Sequence, residues 1–263
     1  MYKNIVTSQL AGGLGNYLFQ IAAAYSYALK HGKKPVFNTN LSIKVHRGIE
    51  CYFDNILRSI EKKDTVATQT TIGEQGFQFT ELPFVANGVA LTGYFQSEKY
   101  FKEYEKEIKD LFSCPDHIKE SINKRFPSMD SVESCSIHVR RGDYVKLQDI
   151  HPVQSMPYFM KALNKMPKDC SIFVFSDDIE WCKNSFPDMG ERIHFVEGYS
   201  DVEDLYLMSM CDHNIISNST FSWWAAWLND NPKKIVVAPK KWFGPMNSHL
   251  DTKDIYPEKW EKI

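Results

Sequence analysis

The second half of this sequence alternates regularly between short apolar segments of strand type and amphipathic segments of helix type. The strand-like segments are Cys135–Val139, Ser171–Phe175, Arg192–Val196, Asn214–Ser217 and Ile235–Ala238. The helix-like segments between them are Pro157–Met166, Ile179–Phe186, Ser200–Cys211 and Phe221–Leu228. Strands that alternate with helices form βαβ units, which build a parallel sheet covered by helices. The pattern therefore predicts an α/β fold with a parallel sheet.

The first half shows the same pattern less regularly. Ile5–Leu10 is strand-like, and Tyr17–Lys30 has apolar residues near a 3.6-residue period, which indicates a buried helix. Pro35–Asn38 resumes a strand, and Glu98–Leu111 is predicted to be a charged amphipathic helix. Residues 40–90 contain many turn signals and give no clear pattern. This half therefore begins with a predicted strand, helix and strand.

The length of the chain, 263 residues, suits one or two domains, since domains usually run to about 100–200 residues. The polar stretch Phe126–Ser134 lies between the two patterns. We therefore predict an N-terminal domain over residues 1–130 and a C-terminal domain over residues 131–263.

Composition and charge exclude several other classes of protein. Hydrophobic residues make up 43% and charged residues 24%, values that exclude a disordered tail or a coiled coil. The formal net charge of −2 creates no overall field that would attract nucleic acid or anionic lipid. We therefore expect no nucleic-acid partner.

Cysteine spacing and hydropathy indicate a soluble protein of a reducing compartment. The six cysteines are scattered without a Cys-x-x-Cys pair, which argues against a disulfide framework and against a zinc site. Asn4–Leu29 is uncharged, but glycine and amide residues interrupt it, so it lacks the apolar run of about 18 residues that spans a membrane. We expect no integral membrane segment and a cytoplasmic location, with peripheral contact at the inner membrane as an open alternative.

The first chemically unusual motif follows the strand Cys135–Val139. It reads His138-Val-Arg140-Arg141-Gly-Asp143-Tyr. In open α/β sheets, ligands bind beyond the carboxyl ends of the strands. Arginine is the side chain best suited to bidentate contact with phosphate. The motif therefore indicates a phosphate site, and the alternative is a structural Arg–Asp ion pair.

The second motif is Ser176-Asp177-Asp178, which follows the strand Ser171–Phe175. Two neighbouring carboxylates can accept hydrogen bonds from a ribose or hold a metal ion. The alternative is a helix N-cap, because aspartate is favourable at the start of a helix. The sequence leaves both open.

The third motif, Ser217-Asn-Ser-Thr-Phe-Ser-Trp-Trp224, joins a predicted strand to a predicted helix. Hydroxyl groups and free backbone N–H groups at a helix N-terminus make a ready anion site. The alternative is a buried helix whose N-terminus is capped by its own serine and threonine side chains. A Gly-x-Ser-x-Gly nucleophile elbow is absent, which argues against a hydrolase.

The fourth motif is the loop Gly12-Gly13-Leu-Gly15-Asn16. It is neither a P-loop, since no Gly-Lys-Ser/Thr follows, nor a dinucleotide fingerprint, since Leu18 stands where glycine or alanine is required. Glycines would still allow the backbone to approach a ligand closely. The alternative is a tight strand–helix turn.

The four motifs in this order resemble the bacterial α-1,2-fucosyltransferases of glycosyltransferase family 11. The matching segments are Gly12–Gln20, His138–Tyr144, Phe175–Asp178 and Ser217–Trp224. The resemblance implies a GT-B fold, in which two Rossmann-like domains face each other across a cleft and the C-terminal domain holds GDP-fucose. It also implies an inverting transfer of L-fucose to O-2 of a terminal β-galactose on a glycan, with no metal and no cofactor other than the GDP-fucose donor. Tyr17 departs from the family pattern, which has glutamine there.

The resemblance also implies roles for individual residues. Arg140 would contact the β-phosphate of the donor. Asp143 is the candidate general base because it follows the arginine pair closely enough to share the site, and the alternative is that it orients Arg140 or Arg141. His138 would contact the ribose or guanine, and Asp204 would accept hydrogen bonds from guanine. The complete set of predicted donor-binding residues is Gly13, Gly15, Asn16, His138, Arg140, Arg141, Asp177, Asp178, Asp204, Ser219, Thr220, Phe221 and Ser222.

Three alternative functions stay open at this point. A fucosyltransferase of another linkage would share the arginine and aspartate motifs. A non-catalytic sugar-binding module would use the aromatic residues to stack sugars, although such a module needs no cluster of arginines. A nucleotide-sugar hydrolase would release free fucose without an acceptor.

Overall fold

The computed structural model describes residues 4–38, 48–127, 129 and 132–263. The chain divides into two compact units, residues 1–114 with 250–257 and residues 115–249 with 258–263. The boundary predicted at residues 130 and 131 lies outside the described residues, and the division lies earlier in the chain. Helix Asp116–Arg125 packs against helix Asp201–Met210, so it belongs to the second unit.

The first unit contains a small parallel sheet. Its strands, in chain order, are β1 (Ile5–Ser8), β2 (Lys34–Pro35), β3 (Phe37–Asn38), β4 (Lys62–Lys63), β5 (Thr70–Gly73) and β6 (Val89–Thr92). Four of these strands form a sheet in the order β2-β1-β6-β5, and β3 pairs with β4. All these pairings are parallel.

Two helices of the first unit were partly predictable. Helix α1 (Leu14–Lys30) begins three residues before the predicted start, directly after Gly13. The single helix predicted over Glu98–Leu111 is wrong, because two short 3-10 turns precede helix α2 (Glu105–Leu111). The buried side chain of Phe101 lies between those turns, so the segment bends to pack it into the core.

The second unit has the strand order of a dinucleotide-binding fold. Its strands are β7 (Ser134–Val139), β8 (Ser171–Ser176), β9 (Ile193–Phe195), β10 (His213–Ile215), β11 (Val236–Ala238) and β12 (Glu261–Lys262). They form one parallel sheet in the order β12-β11-β10-β7-β8-β9. Numbered within the unit this is 3-2-1-4-5-6, in which the chain reverses direction across the sheet between β7 and β10.

The α-helices described in this unit are α3 (Asp116–Arg125), α4 (Met156–Leu163), α5 (Ile179–Ser185), α6 (Asp201–Met210) and α7 (Thr220–Leu228). Helices α4 to α7 connect the strands from β7 to β11 as the sequence pattern predicts, whereas α3 precedes β7 and was not predicted. Ser200 and Glu203 form a capping box at the start of α6, with both reciprocal hydrogen bonds present. Each predicted strand and helix after residue 134 is found within a few residues of its predicted bounds.

The core of the second unit sits between the sheet and its helices. Every residue of β7 is buried, which fits a central strand covered on both faces. The tryptophans of α7 form a separate cluster with Trp260 from the end of the chain. The ring centroids of Trp223 and Trp260 lie 5.4 Å apart. In the described part of the chain, no helix combines the length and apolar character needed to cross a membrane.

Candidate active site

The carboxyl ends of β7 and β10 meet where the sheet reverses its strand order. One side chain ties them together, because the hydroxyl of Ser217 donates to the carbonyl oxygen of His138 at 2.6 Å and accepts from the backbone N–H of Arg140 at 3.2 Å. Ser217 is fully buried. The crevice beyond these two strand ends is the place where open α/β sheets bind ligands.

Arg140 lies at this point between two carboxylates. Its Nη2 contacts Asp143 Oδ1 at 2.5 Å, and its Nη1 contacts Asp177 Oδ2 at 2.8 Å. Its guanidinium also lies over the ring of Tyr144, at 5.2 Å from the ring centroid. Three neighbours therefore fix the guanidinium, although a third of the side chain stays exposed.

Arg141 is held by a different set of contacts. Its backbone N–H donates to Asp177 Oδ1 at 2.8 Å, and its Nε donates to Asp178 Oδ2 at 2.9 Å. The guanidinium stacks on Trp181, 4.0 Å from the ring centroid. Hydrogen bonding to Arg141 lowers the pKa of Asp178, so its carboxylate stays ionised.

Trp181 is a site residue that sequence reasoning missed. Asp178 caps helix α5 by accepting from the N–H of Trp181, so the N-cap alternative is confirmed for this aspartate. The signal was available, because a residue three positions after an N-cap lies beside the capping side chain. The aspartate pair therefore links the arginine motif to α5.

The cluster of two arginines and three carboxylates carries a formal charge of −1 without a ligand. Arginine has five N–H donors in a fixed fork, and the contacts of Arg140 to Asp143 and Asp177 occupy only part of that fork. Arg140 can therefore donate hydrogen bonds to a phosphate oxygen while keeping its contact with one carboxylate. Asp143 is the most exposed partner, at 47% against 27% for Asp177 and 38% for Asp178, so it can move most readily.

Helix α7 points its N-terminus toward the end of β10. Ser219 occupies the N-cap position, but its side chain makes no capping hydrogen bond. The well-capped alternative is therefore wrong, and the first N–H groups, at Thr220, Phe221 and Ser222, have no acceptor inside the helix. Ser222 is buried and its hydroxyl donates to Ser219 O at 3.3 Å. The backbone N–H groups can thus serve an anion, whereas the Ser222 hydroxyl is already used.

A hydrogen-bond network supports the turn between β10 and α7. Asn218 is buried, donates from Nδ2 to Trp242 O at 3.0 Å, and accepts from Gln154 Nε2 at 2.8 Å. The hydroxyl of Tyr144 donates to Asn218 O at 3.3 Å. Because Tyr144 also lies under Arg140, this network joins the arginine motif to the serine-rich turn.

The imidazole of His138 lies in the interior of the second unit. It is buried, its ring packs against Phe221 at 5.4 Å between centroids, and Nδ1 has no hydrogen-bond partner among the described residues. Burial and the charge of Arg140 lower the pKa of His138 to about 3. The imidazole is therefore neutral, and it can donate or accept one hydrogen bond.

Asp204 lies on the first turn of α6, which follows β9. Burial and the neighbouring Asp201 and Glu203 raise its pKa to about 7. Its Oδ1 is buried without a partner in the described part of the chain, and the same is true of the Tyr199 hydroxyl. Asp204 is therefore a carboxyl group whose free oxygen can accept hydrogen bonds from a ligand.

The glycine loop belongs to the first unit. Gly13 is the exposed N-cap of α1, and no neighbouring atom approaches it closely. Gly15 is buried in the first helical turn, and Asn16 is half-buried beside it. Tyr17 packs in the core against Tyr52, at 6.3 Å between ring centroids, so it does not line the loop.

Comparison with known proteins decides the family. The profile of glycosyl transferase family 11 matches residues 84–263, which is more than half of the chain. The chain belongs to glycosyl transferase family 11. The family predicted from the four motifs is therefore confirmed, and the protein is a glycosyltransferase.

Two bacterial relatives of this family 11 enzyme match over nearly their full length, and a mammalian relative matches over about two thirds of its own. An alpha-1,2-colitosyltransferase from Escherichia coli is 31% identical over 99% of both chains. The O-antigen biosynthesis glycosyltransferase WbnK, also from Escherichia coli, is 30% identical over 94% of this chain and 98% of its own. Galactoside alpha-(1,2)-fucosyltransferase 2 from Pongo pygmaeus is 26% identical over 86% of this chain and 69% of its own.

Solved structures confirm the fold class. Fucosyltransferase NodZ from Bradyrhizobium superposes with a TM-score of 0.58 at 18% identity, covering 89% of this chain and 97% of its own. POFUT1, solved with GDP-fucose, gives a TM-score of 0.53 at 13% identity, covering 89% of this chain and 96% of its own. The family 11 enzyme therefore has an α/β fold of the GT-B type, as predicted.

Proposed function

We propose that this enzyme transfers L-fucose from GDP-fucose to O-2 of a terminal β-galactose on a glycan. The observation that carries the proposal is that Arg140 directly follows β7 and that its backbone N–H bonds to Ser217 after β10, two residues before the uncapped N-cap of α7. A guanidinium and free N–H groups at this point of the sheet suit a diphosphate. Membership in family 11 and the names of its relatives support the same reaction.

In the proposed reaction, the acceptor O-2 attacks the anomeric carbon of fucose from the side opposite the nucleotide. The bond from that carbon to the β-phosphate oxygen breaks, GDP leaves with the bonding electrons, and the configuration inverts. Negative charge grows on the leaving phosphate, so donors fixed in place beforehand stabilise the transition state. Arg140 and the N–H groups of Thr220 and Phe221 are those donors in this proposal.

The proton of the acceptor hydroxyl must pass to a base. We assign this role to Asp143, because it has the most exposed carboxylate of the cluster and an acceptor can reach it. In the structure Asp143 pairs with Arg140, so binding of a phosphate to Arg140 would loosen this pair. The released carboxylate would then be available to the acceptor hydroxyl, which would couple donor binding to base activity.

The nucleoside part of the donor has two proposed contacts in the second unit. Asp204 has a buried oxygen without a partner in the described residues, and guanine offers N–H donors to such an oxygen. His138 is neutral and buried beside Phe221, so it can bond a ribose hydroxyl or a base.

The transferred sugar has a second candidate. A relative that covers the whole chain is an alpha-1,2-colitosyltransferase, and colitose is L-fucose that lacks the hydroxyl at C-3. GDP-colitose would present the same diphosphate to Arg140. The two donors differ only in one hydroxyl, so the sugar-binding contacts must decide between them.

The experiment that tests the proposal is a donor comparison with an array of galactosides. We expect turnover with GDP-fucose and a product whose NMR spectrum shows an α-1,2 linkage to galactose. Faster turnover with GDP-colitose would favour the second candidate. GDP binding without turnover on any acceptor would indicate a sugar-binding module, and free fucose without acceptor would indicate a hydrolase.

We also propose that the enzyme works in a reducing compartment such as the cytoplasm. Cys135, Cys170, Cys182 and Cys211 are buried thiols without disulfides. Burial raises the pKa of each, which keeps these thiols protonated and unreactive.

A further inference from the structure

The segment Gly93–Gln96 follows β6 at the same edge of the first unit's sheet as the glycine loop. Gln20, on α1, connects the two. Its Oε1 accepts from the N–H of Ala11 at 2.9 Å, and its Nε2 donates to Gly93 O at 3.1 Å. The segment and the loop are therefore held together by a buried side chain.

The backbone of this segment is strained. Phe95 has φ of +53°, the left-handed region that a non-glycine residue rarely adopts. Glu74 stabilises this conformation, because its Oε2 accepts from the N–H groups of Tyr94 at 2.7 Å and of Phe95 at 2.9 Å. Gly93 has φ of +149°, and a Cβ there would collide with Glu74. Such strain persists where the surrounding structure enforces it, and it often marks a functional site.

The strained turn places Gln96 against Asn16. Gln96 is buried, with only 6% of its surface exposed, and its Nε2 donates to Asn16 Oδ1 at 3.0 Å. The other amide atom, Oε1, is buried and has no partner among the described residues. Because Oε1 and Nε2 share one carbon, this oxygen lies beside the Asn16 amide.

The amide of Asn16 is oriented by this contact. Its Oδ1 is occupied by Gln96, so its Nδ2 is the group left to meet a ligand. The Nδ2 atom lies over Gly12, in the space that a Cβ on that residue would fill. Gly12 has φ of +92°. A glycine is therefore required at this position, both for the turn and for the position of the Asn16 amide.

We propose that Gln96 and Asn16 form a recognition site for one hydroxyl group of the sugar substrate. The pair offers one donor, Asn16 Nδ2, and one acceptor, Gln96 Oε1. A sugar hydroxyl both donates and accepts, so it satisfies both groups, whereas a phosphate oxygen only accepts and would leave Gln96 Oε1 unsatisfied. The inference rests on the proposed function, because it assumes that a sugar nucleotide and a glycan are the substrates.

Gln96 is a positioning residue as well as a ligand in this proposal. Replacing it by alanine would free the Asn16 amide to rotate and remove the acceptor at the same time. Its effect should therefore depend on the presence of Asn16. Residues that act as a unit show strongly non-additive effects in double-mutant cycles.

The test uses Gln96→Ala, Asn16→Ala and the double variant, with the exposed Gln75→Ala of the same unit as the control. Each is assayed with GDP-fucose and with analogues that lack one hydroxyl, on the donor sugar in one arm and on the galactose acceptor in the other. We expect kcat/KM to fall about 10-fold or more in either single variant and no further in the double variant. The variants should keep the circular dichroism spectrum of the wild type, which shows that the fold is intact.

With the wild-type enzyme, one deoxy analogue should react more slowly than the complete sugar, whereas Gln96→Ala should turn over that analogue and the complete sugar at similar rates. Whether this analogue belongs to the donor arm or the acceptor arm identifies the sugar that the pair recognises. Additive losses, equal losses for all analogues, or wild-type activity of Gln96→Ala would overturn the proposal. Wild-type turnover of GDP-fucose is measured in the same assay, so a failure of the proposed function is seen separately.

Discussion

At the scale of residues, the candidate site depends on how charges are paired. Arg140 is held by Asp143 and Asp177, and Arg141 by Asp178 and Trp181. These contacts fix each guanidinium before a ligand arrives. Pre-organised donors are effective in catalysis because they need little reorganisation during the reaction.

Replacing Arg140 by alanine should remove one strong donor to the leaving phosphate. We expect kcat to fall about 100-fold or more, the scale of losing one such transition-state contact. Steady-state kinetics with GDP-fucose measure this. Arg192→Ala is the matched control. Arg192 donates to the carbonyl oxygen of Cys170, which directly precedes β8, so it lies at the amino ends of the strands, away from the site. Activity of Arg140→Ala within a few-fold of wild type would contradict the assignment.

Asp143→Asn separates catalysis from the orientation of Arg140. The amide keeps the shape of the carboxylate and cannot take a proton. If Asp143 is the base, kcat should fall about 100-fold or more, while GDP binding measured by calorimetry stays close to wild type. Near-normal kcat with weaker GDP binding would assign Asp143 to orienting Arg140 alone.

Asp204 should make the stability of the ligand-free protein depend on pH. Its pKa is about 7 in the folded protein against 3.8 for the ordinary group, so the unfolded chain loses this proton first. The free energy of unfolding should therefore fall as pH rises from about 4 to about 7, by up to about 4 kcal/mol from this group.

The variant Asp204→Asn isolates this effect, since it removes the titrating proton. Urea unfolding should find the variant more stable than wild type at pH 8 and similar at pH 4.5, with weaker GDP binding at both. Equal stability of the two proteins at pH 8 would show that Asp204 is not held neutral by burial.

At the scale of elements, the strand ends organise the site. The connections after β7, β8 and β10, which are adjacent strands in the sheet, supply the arginine motif, the aspartate pair and the serine-rich turn. Ser217 joins two of these strand ends by one hydroxyl. The precision of the site therefore depends on how the strands are tied together as well as on the charged residues.

Ser217→Ala should test this tie. The change removes the hydrogen-bond partners of Arg140 N and His138 O, and an unsatisfied buried group costs about 1–3 kcal/mol. We expect lower thermal stability together with a kcat that falls more than GDP affinity does. Ser209→Ala is the control, because the Ser209 hydroxyl bonds only within its own helix, to Tyr206 O. Wild-type kcat in Ser217→Ala would show that the tie does not position Arg140.

The sequence predicts these elements well where local patterns determine them. The strands β7 to β11 and the helices α4 to α7 follow from apolar spacing and caps, and the site motifs follow directly after them. Other features depend on contacts distant in sequence, which local spacing does not encode. Examples are the stacking of Trp181 on Arg141, the pairing of the short β12 with β11, and the contact of Gln96 with Asn16.

At the scale of the whole molecule, the chain combines two parallel sheets that carry their polar motifs at the carboxyl ends of strands. The second unit has the arginines and the dinucleotide-type strand order. The first unit has the glycine loop and the strained turn at Phe95. Asp254 shows that the chain returns to the first unit near its end, because its Oδ2 accepts from the N–H of Phe79 at 2.9 Å.

The proposed stabilisation of the leaving GDP by protein groups predicts how the enzyme responds to chelators. If arginine and helix N–H groups stabilise the leaving GDP, removing divalent metal ions should leave kcat within about 2-fold of its original value, because these donors supply what a metal would supply as an electrophile. Activity after dialysis against EDTA, with and without added Mg²⁺ or Mn²⁺, measures this. A loss that only metal restores would contradict the prediction.

The central claim is that the diphosphate binds where β7 and β10 end. A crystal structure of the enzyme with GDP tests it most directly. The account predicts a β-phosphate within hydrogen-bond distance of the Arg140 guanidinium and of the N–H groups that begin α7. GDP bound with its phosphates away from both Arg140 and the start of α7 would contradict the account.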